Sequence, residues 1–193
     1  TCNHDTKRPS FNLNDTERRL AYAFIFTMPG VPFLYYGDEI GMAYRWLPTK
    51  EGGYHRTGSR TPMQWDNGKN LGFSEGCAED LYLPVDPNPN GSTVESQEAD
   101  PNSMLHFVRK LIALRQSHED LGNYSTFAVH QIGKRLFAYK RGSYLVAVNP
   151  GLNAEELELD GKYEAVYTFG TVSVGEKSAS LASQSFVVLK PVV

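Results

Sequence analysis

The sequence predicts an α/β segment followed by an all-β segment, and three observations carry that reading. A helix signal runs directly into a short apolar strand signal. A long excursion rich in Gly, Pro and Asn then leads to a second helix. After Gly122 the apolar runs become short, Val- and aromatic-rich, and punctuated by Gly133, Gly142, Gly161 and Gly175. A chain of 193 residues has room for one or two domains. The change of character places the boundary near Asn123, with residues 1–122 on one side and 123–193 on the other.

The first helix starts at Asn14, where Glu17 three positions on completes the form of a capping box. Leu20, Ala21, Ala23, Phe24, Ile25, Phe26 and Met28 cover nearly every direction around a 3.6-residue period, which predicts burial of most of the helix. Pro29 and Gly30 end it. The run Val31 to Tyr36, closed by Gly37, reads as a strand buried on both faces, and a helix leading into such a strand points to a parallel sheet. In parallel α/β folds the loops after the strands carry the chemistry. That places Asn3, His4 and Asp5, a polar triplet just ahead of the first helix, on one functional face with Gly37, Asp38 and Glu39.

From Gly41 to Asp100 the chain is dense in turn residues, yet Tyr44, Trp46, Tyr54, Trp65, Phe73 and Tyr82 predict an ordered loop rather than a solvated linker. The second helix is expected from Asp100 as N-cap and Pro101 in its first turn through Leu121, with Gly122 just past its end. Leu105, Val108, Leu111 and Ile112 form its inward stripe. Arg109, Lys110, Arg115 and His118 complement its own dipole. In the last segment, Leu136 to Tyr139 and Tyr144 to Val148 flank a turn at Arg141 and Gly142, the signal of a hairpin, and Phe186 to Leu189 is a closing strand.

Composition excludes several function classes. A net charge of -3 with 21% charged residues leaves no electrostatic footprint for nucleic acid or an anionic membrane, so the expected partner is neutral. No apolar run approaches the length of a bilayer span. Cys2 and Cys77 have neither disulfide-framework density nor zinc spacing and fit a reducing, cytoplasmic setting. His55, His106, His118 and His130 show no metal-ligand spacing, so neither a metal nor a cofactor is expected. The chain opens at Thr1 with the polar triplet already in place, and it is expected to be the C-terminal piece of a longer enzyme.

Three ordered motifs resemble the α-amylase superfamily of glycoside hydrolases, in its α-glucosidase and oligo-1,6-glucosidase branch. They are Asn3-His4-Asp5, the run from Gly30 to Met42 containing Tyr35-Tyr36-Gly37-Asp38-Glu39, and Arg60-Thr61-Pro62-Met63-Gln64-Trp65-Asp66. Leu83-Pro84-Val85 and the stretch from Gln97 to Arg115 extend the likeness over most of residues 3 to 121. The stretches Tyr44 to Ser59 and Cys77 to Asp80 depart from it. The resemblance implies the C-terminal part of a (β/α)8 TIM barrel, from the end of its seventh strand to its eighth helix, followed by a small antiparallel β-sandwich domain. It also implies retaining hydrolysis of α-glucosidic bonds in an α-glucan or oligosaccharide, which needs a carboxylate nucleophile and a carboxylic acid. Both are expected upstream of this chain, so neither role falls on a residue here.

Asp5 matches the family's third carboxylate, a transition-state stabiliser, and His4 a donor to a ring hydroxyl. The alternative for the triplet is a loop in which Asn3 and Asp5 cap backbone groups. Asn3 and Arg8 are further candidate substrate contacts, Arg8 through its planar fork, with a surface salt bridge as the alternative. Trp65 and Tyr44 are candidates for a stacking platform under a sugar ring, or for packing within the loop. Asp38 and Glu39 read as mainly architectural. The chain alone is expected to be inert and, with apolar strand edges uncovered, to self-associate. Rival readings are a transglycosylase or isomerase such as a trehalose synthase, a non-catalytic scaffold of the same fold like the heavy subunit of certain amino-acid transporters, and a carbohydrate-binding module in residues 123–193.

Overall fold

The computed structural model describes residues 1–48 and 56–192. Tyr54 and His55, with part of the divergent stretch from Tyr44 to Ser59, lie outside the described residues. Contacts divide the chain into two compact units, Thr1–Arg18 with Phe33–Lys110, and Arg19–Pro32 with Leu111–Val193.

Helix α1 spans Asp15–Thr27 and starts as expected. The Asn14 side chain accepts from the backbone of Glu17 at 3.0 Å, and the Glu17 carboxylate accepts from the backbone of Asn14 at 2.8 Å, so two otherwise orphaned donors are satisfied reciprocally. Leu20, Tyr22, Ala23, Phe26 and Thr27 are buried, whereas Ala21, Phe24 and Ile25 are only partly covered. The helix is therefore buried along one side and partly open along the other, less covered than the burial of most of it that was expected.

Val31 to Tyr36 does not form the expected strand. Val31 is 63% exposed and Phe33 75%. A strand is defined by its ladder, and the hydrogen bonds described for this run are isolated ones, such as that from the amino group of Thr1 to the carbonyl of Phe33 at 3.1 Å. The second helix also differs. A short helix α2 occupies Val94–Ala99, capped reciprocally by Thr93 and Ser96, and α3 begins only at Met104 and ends at Ser117. Asp100 sits in an extended conformation (φ -103, ψ 109), as the residue before a proline prefers and as an N-cap also would, but the helical turns begin only after Ser103, which takes the capping place. The Asp100 carboxylate instead accepts from the backbone of Asn102, and Ser103 Oγ accepts from the backbone of His106. Beyond α3 a single tight turn at Glu119–Leu121 leads to Gly122. In the first unit, Ile40, Met42, Met63 and Leu105 form a small core with Val94 against it.

The second unit carries eight strands among the described residues: β1 Phe127–Ile132, β2 Phe137–Arg141, β3 Tyr144–Asn149, β4 Glu155–Glu158, β5 Tyr163–Phe169, β6 Val172–Val174, β7 Ser178–Leu181 and β8 Ser185–Pro191. Five form an antiparallel sheet in the order β1-β2-β3-β8-β5, and three form another in the order β4-β7-β6. The central strands β3 and β8 are buried almost throughout, as their uninterrupted apolar sequence requires. Alternate residues of the larger sheet, Ala138, Leu145, Ala147, Val187 and Leu189, share one core with Leu157, Ala179 and Leu181 of the smaller. The opposite face presents Tyr139 to α1: its ring meets Phe24 edge-on at 6.0 Å, and its hydroxyl lies 2.6 Å from that of Thr27.

The β2–β3 hairpin pairs Arg141 with Tyr144, as the sequence predicts. Its turn residue Gly142 has φ +56, and a Cβ there would stand 2.5 Å from the Asp120 carboxylate, which accepts from the backbone of Ser143 at 2.8 Å. Both backbone and space exclude a side chain. Gly142→Ala is expected to destabilise this unit by about 1–3 kcal/mol, read as a lower urea midpoint at unchanged slope.

Candidate active site

Residues 1–8 form a tight, self-capped loop. The Asn3 side chain accepts from the backbone of Asp5 at 2.8 Å, and Thr6 Oγ accepts from the backbone of Asn3 at 3.0 Å. Asn3 thus shapes the loop that turns Asp5 outward, the capping role weighed against direct substrate contact. The Asp5 side chain is half exposed. Its Oδ1 accepts from Arg56 Nη1 at 3.0 Å and from Arg60 Nη2 at 2.9 Å, and its Oδ2 lies 3.2 Å from His4 Nε2. Arg60 Nε also donates to the His4 carbonyl at 2.9 Å, so one guanidinium spans two consecutive residues of the loop. Partial desolvation pulls the Asp5 carboxyl upward. The hydrogen bond from Arg56, the charges of His4 and Arg56, and the hydrogen bond from Arg60 outweigh it and hold the group below the usual carboxylate range.

Arg60 is also part of the wall of a cavity of about 540 Å³, lined by Tyr36, Glu39, Met63, Trp65, Phe73 and Tyr82 among others. The lining is mostly apolar and aromatic, with Glu39 and Arg60 as its charged groups. Burial pushes the Glu39 carboxyl up, and the charge of Asp38 adds to the rise, against backbone hydrogen bonds and Arg8. A cavity with aromatic walls and few charged groups suits a neutral, polyhydroxylated ligand.

Trp65 and Tyr44 do not come together as one platform. Trp65 lines the cavity, 49% exposed. Tyr44 instead packs edge-on against Phe11 and Trp46, with ring centroids 5.1 and 5.6 Å away, and Lys7 Nζ sits 3.7 Å over Phe11 and 4.6 Å over Trp46. Arg8 also departs from its expected place. Its side chain is fully buried, neither a surface salt bridge nor a fork open to a ligand, and it is spent on Asp38 and on the carbonyls of Tyr36 and Ser59.

Asp38 is buried with it and accepts from the Cys2 thiol at 3.0 Å. Burial, that hydrogen bond and the Asp38 charge push the Cys2 thiol up to about 12, so it stays protonated. Sequence reasoning missed the part of Arg56, which carried no signal in a divergent stretch, and of Arg60, which stood inside a quoted motif. Among the described residues no group of three or more His, Cys, Asp or Glu is placed to hold a metal, and no helix is long and apolar enough to cross a membrane.

Loops bearing the cavity in the first unit and antiparallel sheets in the second are a combination found in proteins of known structure. Trehalulose synthase MutB from Pseudomonas mesoacidophila MX-45 superposes with a TM-score of 0.80 over 98% of this chain and 42% of that one, at 23% identity, a likeness of fold. The chain belongs to the alpha-amylase family: the family's catalytic domain matches residues 1–123. Within it, the chain is 33% identical over 175 residues to a probable oligo-1,6-glucosidase 2 of Bacillus subtilis (strain 168), covering 72% of this chain and 31% of that protein. It is 38% identical over 115 residues to a trehalose synthase of Pimelobacter sp. (strain R48), covering 56% of this chain and 19% of that one. The chain spans about a third or less of the length of these curated relatives.

Proposed function

We propose that the chain is the C-terminal portion of a retaining α-glucosidase acting on α-glucosidic bonds of short oligosaccharides. The observation that carries this reading is Asp5, an ionised carboxylate clamped by Arg56 and by an Arg60 that also walls an aromatic cavity. Residues 1–122 are then the last part of a (β/α)8 barrel, and residues 123–193 a β-sandwich domain whose two sheets share the core around Leu145 and Leu181. The nucleophile and the acid that retention requires belong to polypeptide outside these residues, and the chain alone is inert.

Asp5 acts through charge. As the glycosidic bond lengthens, positive charge grows on the sugar ring, and a fixed carboxylate interacts with it more strongly than with the ground state. The two guanidinium contacts keep that carboxylate ionised and in one rotamer, so little reorganisation is needed at the moment of reaction. His4, 65% exposed beside Asp5, stands where a ring hydroxyl can approach it, and Trp65 offers an aromatic face to the apolar face of a glucose unit. Trp65→Ala is expected to raise KM about tenfold with kcat held within about threefold, the pattern of lost uniform binding.

A second reading is an isomerase of trehalose-synthase type, favoured by the identity over 115 residues to the Pimelobacter enzyme. Product analysis separates the two. The enzyme containing this chain is expected to release free glucose from maltose and isomaltose. Trehalose as the main product from maltose would move the assignment to the isomerase, and no turnover of any α-glucoside would overturn both and favour a scaffold.

A further inference from the structure

Three loop segments of the first unit meet at one buried guanidinium. Arg8 Nη1 donates to the Tyr36 carbonyl at 2.6 Å and to Asp38 Oδ1 at 3.0 Å, and Nη2 donates to the Ser59 carbonyl at 3.0 Å. The Tyr35 and Tyr36 rings lie 5.1 and 5.0 Å from it. Asp38 in turn holds the start of the chain, its Oδ2 accepting from Thr1 Oγ and Cys2 Sγ, each at 3.0 Å. Ser59, whose carbonyl Arg8 holds, donates its own hydroxyl to the Thr6 carbonyl at 2.5 Å and directly precedes Arg60, the residue clamped to Asp5. Residues 4–8 and 59–60 are thereby cross-tied by contacts at His4, Asp5, Thr6 and Arg8.

We infer that Arg8 and Asp38 are positioning residues for Asp5, a role that rests on the glycosidase reading above. The arrangement is a poor one for stability alone. Arg8 Nε is buried without a hydrogen-bond partner, and well-packed apolar side chains commonly replace a buried ion pair at no loss. What an apolar pair cannot do is fix carbonyls from two other segments in one plane, and the guanidinium's rigid fork does that. The residue that holds Asp5 in register is therefore remote from the ligand. Arg8 touches no substrate, and Lys, with one compact ammonium in place of the fork, cannot span Asp38, Tyr36 and Ser59 together.

The test is a set of double-mutant cycles in the full-length enzyme, with Arg8→Lys, Asp38→Asn and Ser59→Ala each made alone and with Asp5→Asn. A misplacement near 1 Å costs on the order of a hundredfold, so Arg8→Lys is expected to lower kcat about tenfold or more with KM changed less than about threefold. On the Asp5→Asn background the same change is expected to cost less than about twofold, because there is no longer a charge to aim, while the thermal midpoint falls equally on both backgrounds. Losses in kcat that multiply independently, or a loss confined to KM, would overturn the inference. Near-normal turnover of Asp5→Asn by itself would instead sink the functional reading. If Arg8→Lys does not fold, Ser59→Ala, which removes only the tie to Thr6, is expected to lose about threefold in kcat, and that loss should vanish on the Asp5→Asn background. An undiminished loss there overturns the inference as well.

Discussion

Asp5→Asn in the full-length enzyme is expected to lower kcat by about a hundredfold, corresponding to about 3 kcal/mol of barrier, the scale on which removing one preorganised electrostatic partner acts. The substitution is nearly isosteric and leaves an oxygen for Arg56 and Arg60 to meet, so the change is one of charge rather than of shape. Because the side chain is half exposed and its ion pairs are solvent-screened, the thermal midpoint should move little. Steady-state kinetics on maltose with a melt of the same preparation separates the two effects. Turnover within about threefold of the parent would remove Asp5 from the chemistry. The sign of its titration adds a second check. Its carboxyl is held below the usual carboxylate range, so the group stays ionised down through the ordinary carboxylate titration and loses its charge only at lower pH. The acid limb of the activity profile in the weakly acidic range must then come from another group, and Asp5→Asn should leave that limb where it is.

What could be read from sequence follows the range of the interactions involved. The Asn14–Glu17 capping box and the Arg141–Gly142 hairpin are encoded within a few residues, and both are present. The strand expected at Val31 to Tyr36 depends on neighbours, and an apolar run without a ladder is not a strand however suitable its side chains. Helix α2 hid inside a stretch that reads as loop because its cap is a Thr93–Ser96 pair rather than the usual acidic partner, and α3 starts after Ser103, whose Oγ accepts from His106, rather than at Asp100, whose carboxylate is turned onto the backbone of Asn102. At the site, the triplet was legible as a motif. That Arg56 and Arg60 converge on Asp5 from 51 and 55 residues away was not, since nothing local distinguishes a clamping arginine from a solvated one. Arg115 makes the same point. It reads as a residue complementing its own helix, yet its guanidinium donates to the carbonyls of Phe26, Met28 and Gly30 at the end of α1.

Arg141→Met is expected to cost the second unit about 2–4 kcal/mol, the largest stability effect of any substitution considered. In sequence Arg141 is a turn residue at the end of β2. In the structure it is entirely buried, Nη1 donating to the Thr27 carbonyl at the last residue of α1 and Nη2 to the Gly122 carbonyl. The carbonyls at a helix C-terminus have no partner within the helix, and a cation there meets both that need and the negative end of the dipole. Methionine keeps the stem's packing but leaves two carbonyls without their donor, at about 1–3 kcal/mol each. Some of that is offset, because the guanidinium is itself desolvated, stands near the charge of Arg115 and leaves Nε without a partner. Arg141→Lys should recover less than half the loss, since one ammonium cannot reach both carbonyls at once. Urea denaturation followed by far-UV circular dichroism reads the effect as a shifted midpoint at constant slope. A loss under about 1 kcal/mol for the methionine variant would mean that water or local repacking supplies those carbonyls, and that the end of α1 is held to the sheet by the Tyr139–Thr27 bond and the Phe24 contact instead.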